Sequence, residues 1–394
     1  MPESYIEPMT DRQTCFKCNK TADGKKKFSK CNGCHAITYC GRECQREDWP
    51  RHSWNCVPVM VTEIPGKGRG LVAARDIKMG ELIFNDKPAI KLSFSGRIPS
   101  YPDFMQHFKS QIDNLPIEAK SQFNKLSAPT DDQDMNIFIR RNLAGGNKED
   151  ARLLKKFIGN SLGRRNNDSV DSYDSCLFLN HALVNHSCAP NAASGRGDLD
   201  PEKGVQCHEL RAIKDISKGE EIATCYVGKI WEFGFDVKKR RSKLSLQFLS
   251  FVCKCAVCLG KIPGQEEIGK RLKKLHSQLS DKHYLKDSSA WRKETDILSQ
   301  IVDLTLTLHV GKVDDKFQAL NLLIRRAHLA RDEDLVKKSM KTWKEIADNI
   351  QLSDFLRSYE IMERGLDEVP TELNSNNPPS KTEIDLIFSI DLNV

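Results

Sequence analysis

The sequence predicts an α+β fold in which short strands form small sheets around a helical insertion, with a metal-binding segment before them and a helical domain after them. Three observations predict this organisation. Cysteines paired at metal-ligand spacing occupy 15–56. Short apolar runs separated by glycine turns follow as far as about residue 250. From about residue 266 onward, apolar residues recur at helical spacing.

Composition limits the classes of protein to consider. A length of 394 residues suffices for two to three domains with a substantial core. With a mean hydropathy of -0.52 and no apolar run near about 18 residues, we expect no membrane-spanning segment. The polar first residues lack the apolar stretch of a signal peptide, so we expect reduced thiols. The net charge of +7 suits basic-peptide or nucleic-acid surroundings and identifies neither.

The first segment contains eight residues that can bind metal. They are Cys15, Cys18, Cys31, Cys34, Cys40, Cys44, His52 and Cys56. Each close pair can reach one tetrahedral metal from a tight turn, and two pairs complete a site, so eight ligands predict two zinc ions. Because little apolar material lies here, metal binding and folding should be coupled. Reactive or disulfide-bonded cysteines are the alternative.

A glycine-rich stretch follows at 65–71. Three glycines within five residues permit a tight turn and a close approach of the backbone to a ligand, although a plain hairpin is the alternative. Residues 71–74 and 81–84 predict short strands separated by a turn at 78–80. Residues 100–160 then show helical apolar spacing, divided by Pro116, Pro129 and the pair Gly145-Gly146.

The central motif is Asn185-His186-Ser187-Cys188-Ala189-Pro190-Asn191. Its amide and imidazole groups can hydrogen-bond a polar cofactor, its cysteine can bind a metal, and Pro190 with Asn191 predicts a turn. An ordinary polar loop is the alternative. Residues 195–204 predict a glycine- and aspartate-rich turn, and 205–210 alternate like a strand.

Tyr226 follows the turn at 219–222 and is either a functional phenol or a packed strand aromatic. The basic run 238–243 is either a nuclear import signal or a solvated helix face, and we favour the face. Cys253, Cys255 and Cys258 form an incomplete tetrahedral site. The remaining cysteines are expected to be buried small apolar residues; they are Cys176, Cys207 and Cys225.

Together these motifs resemble the SET-and-MYND family of protein lysine methyltransferases. Asn-His-Ser-Cys-x-Pro-Asn resembles the cofactor-binding motif of SET domains, and Gly-Lys-Gly-Arg-Gly-Leu resembles their first segment. The cysteine spacing, with Trp49-Pro50-x-His52, resembles a MYND finger. In typical members the finger interrupts the SET domain, whereas here it precedes the whole domain.

The resemblance implies a domain order along the chain. It comprises a tail at 1–14, a MYND finger at 15–56, SET parts at 60–98 and 161–250 around a helical insertion at 99–160, a post-SET zinc segment at 251–265, and a helical domain with a mobile tail at 266–394.

The resemblance also implies site residues. Two finger zincs are interleaved: Cys15, Cys18, Cys40 and Cys44 bind one, and Cys31, Cys34, His52 and Cys56 bind the other. Cys188 completes a third zinc site with Cys253, Cys255 and Cys258. The catalytic residue is Tyr226. S-adenosylmethionine would contact Lys67, Gly68, Arg69, Asn160, Asn185, His186, Tyr226 and Phe251, with Gln111 a weaker candidate.

The implied function is S-adenosylmethionine-dependent methylation of histone or other protein lysines, in transcription regulation. The expected protein is a nuclear and cytoplasmic monomer whose finger binds proline-rich peptides. The alternative is a weakly active or inactive scaffold that recruits proline-containing partners. That alternative stays open because Leu249 stands where active relatives carry a second channel tyrosine.

Overall fold

The computed structural model describes residues 13–24, 27–53, 56–95, 101–128, 147–165, 172–200, 205–227, 236–247, 251–279 and 288–367. The strands are β1 Ser29–Lys30, β2 Thr38–Tyr39, β3 Val59–Ile64, β4 Gly68–Ala73, β5 Leu82–Asp86, β6 Ile90–Ser95, β7 Ser161–Arg165, β8 Ser172–Leu177, β9 Asn185–His186, β10 Ala192–Asp200, β11 Val205–Ala212 and β12 Glu221–Thr224. The helices are α1 Arg42–His52, α2 Tyr101–Asp113, α3 Ile117–Asn124, α4 Lys148–Asn160, α5 Val237–Gln247, α6 Gln265–His276, α7 Ser288–Thr307, α8 Asp314–Leu329, α9 Glu333–Ile350 and α10 Ser353–Asp367.

The fold is the predicted combination of small sheets and helices. The first sheet has the order β3-β4-β12-β9, in which β9 and β12 run parallel and the other pairs run antiparallel. Gly66 and Gly68, with φ of 73° and 75°, make the turn of the β3–β4 hairpin, a backbone conformation that favours glycine. The glycine-rich stretch is therefore a hairpin turn whose end enters the sheet.

The second sheet has the order β10-β11-β5. The strands predicted at 71–74 and 81–84 are present as β4 and β5, and they lie in different sheets, because β4 pairs with β3 and β12 while β5 pairs with β11. The turn predicted at 195–204 needs correction: it is too long, because β10 continues to Asp200 and pairs with β11 through a register shift between Arg196 and Leu199.

The helical insertion packs on the third sheet, which has the order β6-β8-β7. Asn147 caps α4 by accepting a hydrogen bond from the Asp150 backbone, and the buried side chains of Phe108, Phe123 and Phe157 join the core between helices and sheet. Pro129 and Gly145-Gly146, the predicted breakers, lie outside the described residues.

The C-terminal helices α6 to α10 build the largest apolar core, which also includes Cys188, Cys225 and Val227 from the centre of the chain. Two hydrogen bonds tie the start of α10 to the second sheet: the Arg196 backbone donates to Asp354 at 2.7 Å, and the Ser353 backbone donates to Glu209 at 2.7 Å. None of the described helices combines the length and apolar character that a membrane crossing needs. The predicted mobile tail lies outside the described residues.

The finger at the start of the chain has a core of its own, built from its cysteines with Ala36, Ile37 and Tyr39. Arg75, just after β4, connects it to the sheets: its guanidinium donates to the Gly33 carbonyl at 2.8 Å and pairs with Glu81. The finger therefore contacts the segment just after β4 and does not interrupt the sheets.

Candidate functional site

The central motif lies at the edge of the first sheet. Parallel pairing aligns Ala223 with Asn185 and Thr224 with His186, so the motif runs beside the segment that ends in Tyr226. Asn191 closes the loop: its side-chain oxygen accepts from the Ala223 backbone at 2.9 Å, and its amide donates to the Glu221 carbonyl at 2.8 Å. The predicted turn residue is thus a buried bridge between the two segments.

His186 stands at the centre of this group. Its Nδ1 accepts a hydrogen bond from the Tyr226 backbone at 3.0 Å, so Nε2 carries the proton and faces Cys188 Sγ at 3.4 Å. Burial lowers the pKa of His186 to about 4, so the ring is neutral near pH 7. Because both ring nitrogens are engaged within the chain, a cofactor would meet the ring face or the backbone of His186.

Three rings line this part of the molecule. The His186 ring lies 5.2 Å from Tyr226 and 5.9 Å from Phe251, centroid to centroid. The Tyr226 hydroxyl donates to the Val184 carbonyl at 2.5 Å. Burial, with the negative charge of Glu221, raises the pKa of Tyr226 above its usual range, so the phenol stays protonated. The sequence analysis names all three as contacts of S-adenosylmethionine, and the structure places their rings beside one another.

A polar group faces the hairpin turn. Glu221 accepts from Lys67 Nζ at 2.6 Å and from the Asn185 amide at 3.2 Å, so one carboxylate joins the glycine-rich turn to the central motif. The Asn185 amide also lies 3.4 Å from the Arg69 carbonyl. A Cβ at Gly70 would lie 2.5 Å from the Asn185 amide nitrogen, which explains why glycine stands there.

Glu221 is the site residue that sequence reasoning missed. It belongs to the turn at 219–222, which we used only to locate Tyr226, and its two partners lie 154 and 36 positions away in the chain. The only signal in the sequence was the adjacent pair Glu220-Glu221, and such carboxylate pairs are common on protein surfaces.

Three predicted cofactor contacts make other interactions in this structure. The Arg69 guanidinium donates to the Lys125 carbonyl at 2.6 Å, and the Asn160 amide donates to the Ser127 and Lys156 carbonyls at 2.9 and 2.7 Å. Both residues therefore hold the chain that follows α3. Gln111 exchanges hydrogen bonds with the Lys91 backbone and so fixes α2 to β6. Leu249 lies outside the described residues.

The structure gathers the cysteines into three groups with the predicted membership. They are Cys15, Cys18, Cys40 and Cys44; Cys31, Cys34, His52 and Cys56; and Cys188, Cys253, Cys255 and Cys258, each with ligand atoms within 4.8 Å of one another. Four sulfurs around one zinc lie about 3.8 Å apart, since each Zn–S bond is about 2.3 Å. Cys31 and Cys56 are 3.7 Å apart, and Cys188 and Cys258 are 3.6 Å apart, so these groups fit zinc.

The cysteines outside these groups are buried, as expected for small apolar residues: Cys176, Cys207 and Cys225. The basic run gave a mixed result. Lys238 and Lys239 are exposed on α5, as a solvated face requires, but that interpretation is wrong for Arg240, which is buried. The reason is the third metal group, against which this side of α5 packs.

Two family models match the chain in separate segments. The MYND finger model matches residues 15–56, and the SET domain model matches residues 68–227. The finger therefore precedes the SET domain, in the predicted order. The Lys67–Glu221 pair, the central motif and Tyr226 all lie at or within the SET segment.

The chain is similar to curated lysine methyltransferases. It is 28% identical to N-lysine methyltransferase SMYD2 of Homo sapiens over 262 residues, 66% of this chain and 54% of that protein. It is 29% identical to SMYD2 of Bos taurus over 66% of this chain and 53% of that protein. SMYD2-B of Xenopus laevis is 24% identical over 66% of this chain and 54% of that protein. The chain thus spans about half the length of these relatives.

Proposed function

This chain is a SET- and MYND-domain protein, and we propose that it is a protein-lysine N-methyltransferase that uses S-adenosylmethionine. One observation carries the proposal: the SET segment brings His186, Tyr226 and Phe251 together next to the polar group of Lys67, Asn185 and Glu221. The curated relatives are named as N-lysine methyltransferases, which supports the same reaction class.

The residues present fit the proposed donor. A cation is attracted to an aromatic face by about 0.5–2 kcal/mol, and the half-buried Phe251 ring offers such a face to a sulfonium. Open space beside the Cα of Gly68 leaves the hairpin backbone accessible. Asn185 and Lys67 supply an amide and an ammonium for polar groups. When bound, the donor supplies a methyl group activated by the positive sulfur.

Tyr226 is the residue that we expect to contact the side chain of the substrate lysine. Its hydroxyl proton is directed at the Val184 carbonyl, so its oxygen lone pairs can accept an N–H from an incoming amine. The phenol therefore orients the amine and does not act as a base, since its pKa is raised. A free lysine has a pKa of about 10.4 and must lose its proton first, which removal from water favours. Alignment of the amine with the methyl group of the donor supplies much of the rate enhancement.

The substrate class and partners form part of the same proposal. We propose histone or other protein lysines, with a role in transcription regulation and a nuclear and cytoplasmic location. The finger supports a partner role, because Trp49 keeps 47% of its surface exposed and lies 5.9 Å from His52. An exposed ring on a rigid finger suits proline-containing peptides.

The test measures donor binding and methyl transfer with the same preparations. Calorimetry with S-adenosylmethionine and a lysine-peptide array should give binding and transfer by the purified chain. Tyr226→Phe keeps the ring, so donor affinity should change little while turnover falls about 100-fold, as for loss of one transition-state hydrogen bond. Tyr359→Phe, which removes a phenol hydrogen-bonded to Glu363 in the helical domain, is the control and should leave turnover unchanged.

Two outcomes contradict the proposal in different ways. If the chain binds no donor at high concentration, it is a scaffold that recruits partners through its finger. If Tyr226→Phe methylates as fast as the unmodified chain, Tyr226 is a packing residue and the active site lies elsewhere.

A further inference from the structure

The third metal group differs from the finger groups in its surroundings. Cys188, Cys253 and Cys258 have 0%, 3% and 7% of their surface exposed and belong to the largest apolar core. Four thiolates around one Zn²⁺ leave a net charge of about −2. A charge buried in apolar surroundings needs a partner of opposite sign, because water cannot solvate it there.

Two neighbouring arginines of α5 meet this requirement. Arg240 is 1% exposed, and its guanidinium Nη2 lies 3.7 Å from Cys258 Sγ. Arg241 donates to the backbone carbonyls of Cys253 and Cys258 at 3.2 and 3.4 Å. One guanidinium therefore faces the sulfur atoms, and the other fixes the loop that carries three of the four ligands.

Within the described part of the finger, neutral groups take this place. Cys31 Sγ receives the Gln45 side-chain amide at 3.7 Å, and Cys34 Sγ receives the Ala36 backbone at 3.4 Å. Cys18 is exposed, and Cys40 and Cys44 are half-buried, so water can screen that group. The second finger group is as buried as the third, with Cys31 and Cys34 at 2% and 1% exposure, but one of its four ligands is His52, so its net charge with zinc would be about −1. A positive side chain is needed most where four thiolates are withdrawn from water.

We propose that Arg240 and Arg241 form an outer coordination shell of the third zinc group and determine how tightly it retains the metal. Arg240 compensates the charge of the thiolates, and Arg241 holds the ligand loop in place. Arginine suits this role because its planar guanidinium stays charged when buried and donates several hydrogen bonds. The basic run 238–243 thus serves the metal on one side of α5. This inference concerns metal retention and does not rest on the proposed methyl transfer.

The test counts zinc by native mass spectrometry of the whole chain at increasing concentrations of a zinc chelator. Arg240→Met keeps the length of the side chain and removes its charge. The variant should release one zinc at a chelator concentration about 10- to 100-fold lower than the concentration that the unmodified chain requires. This is the range seen for outer-shell partners of metal ligands. Lys239→Met makes the same charge change at the exposed neighbour and should retain zinc like the unmodified chain.

Arg240→Lys separates charge from folding. It should retain the third zinc better than Arg240→Met, with circular dichroism confirming that both variants are helical. Equal zinc retention by Arg240→Met and Lys239→Met would overturn the proposal. If Arg240→Met does not fold, Arg240→Lys decides: a folded lysine variant with its third zinc supports charge compensation, and a lysine variant that also fails to fold overturns it.

Discussion

The finger and the third metal group use the same chemistry in opposite settings. In the finger, two metal groups stand within a small core made largely of their own ligands, and Cys18 is exposed. At the third group, the ligands lie inside a core that continues through five helices, and the Gly311 backbone donates to the Cys188 carbonyl at 2.9 Å. In the finger, the metal ligands form much of the core. At the third group, the metal crosslinks two segments of a core that other apolar residues also build.

The finger and the third metal group therefore depend on metal for their fold to different degrees. A segment with little apolar area cannot compensate the entropy lost on ordering, so its ligands must do so. The third group lies among residues that bury apolar surface without it. It also contacts His186, so there the metal bears on the functional site more than on the fold.

The largest expected effect is on the finger. Cys34→Ala removes a buried ligand, and structural zinc contributes about 10–16 kcal/mol in isolated fingers, so the finger should unfold. Hydrogen exchange should show loss of protection at the Cys31 amide, which donates to Ile37. The amide of Ile222, a buried residue of β12 paired with β4, should stay protected. Cys176→Ala, a buried cysteine outside the groups, is the control. A protected finger in Cys34→Ala would show that the finger keeps its fold without this metal ligand.

The second effect is on the third group. Cys188→Ala should leave two zincs in native mass spectrometry and a folded chain. The metal closes the long loop between Cys188 and 253–258, so the free energy of unfolding should fall by about 2–5 kcal/mol, as for loss of a crosslink. Denaturant unfolding followed by circular dichroism measures the change. A chain that unfolds completely, as the finger should, would show that metal is essential in both settings.

The third effect concerns the polar group beside the central motif. Glu221→Gln keeps the shape and removes the charge that holds Lys67, so the hairpin turn should lose its position against Asn185. Binding of S-adenosylmethionine should weaken by about 1–3 kcal/mol in calorimetry, the usual cost of a lost charged hydrogen bond. Glu63→Gln, on the exposed side of the same hairpin, is the control. Unchanged affinity would mean that Glu221 serves the sheet alone.

The smallest effect is at the contact between the two regions. Arg75→Met removes the hydrogen bond to the Gly33 carbonyl, a contribution of about 0.5–1.5 kcal/mol. Limited proteolysis should cut the chain between finger and sheets faster, while both keep their own hydrogen-exchange protection. If the finger also lost protection, its stability would depend on the sheets as well as on metal.

The sequence alone determined the metal ligands and most helices. Cysteine and histidine ligands two to four positions apart meet one metal through the local chain, whatever the rest of the fold does. The helical domain was predictable because its apolar positions repeat along one face, as in α9, where Met340, Trp343 and Ala347 are buried.

The tertiary structure alone decided which distant groups meet. Glu221 reaches Lys67 across 154 positions, and Arg240 faces Cys258 only because α5 packs on the third group. Strand register places Thr224 beside His186, and a shift of one residue would turn every side chain of β12 to the other face. Local patterns carry no information about register or about packing between distant elements, and for that reason the ligands were predictable while the residues that hold them in place were not.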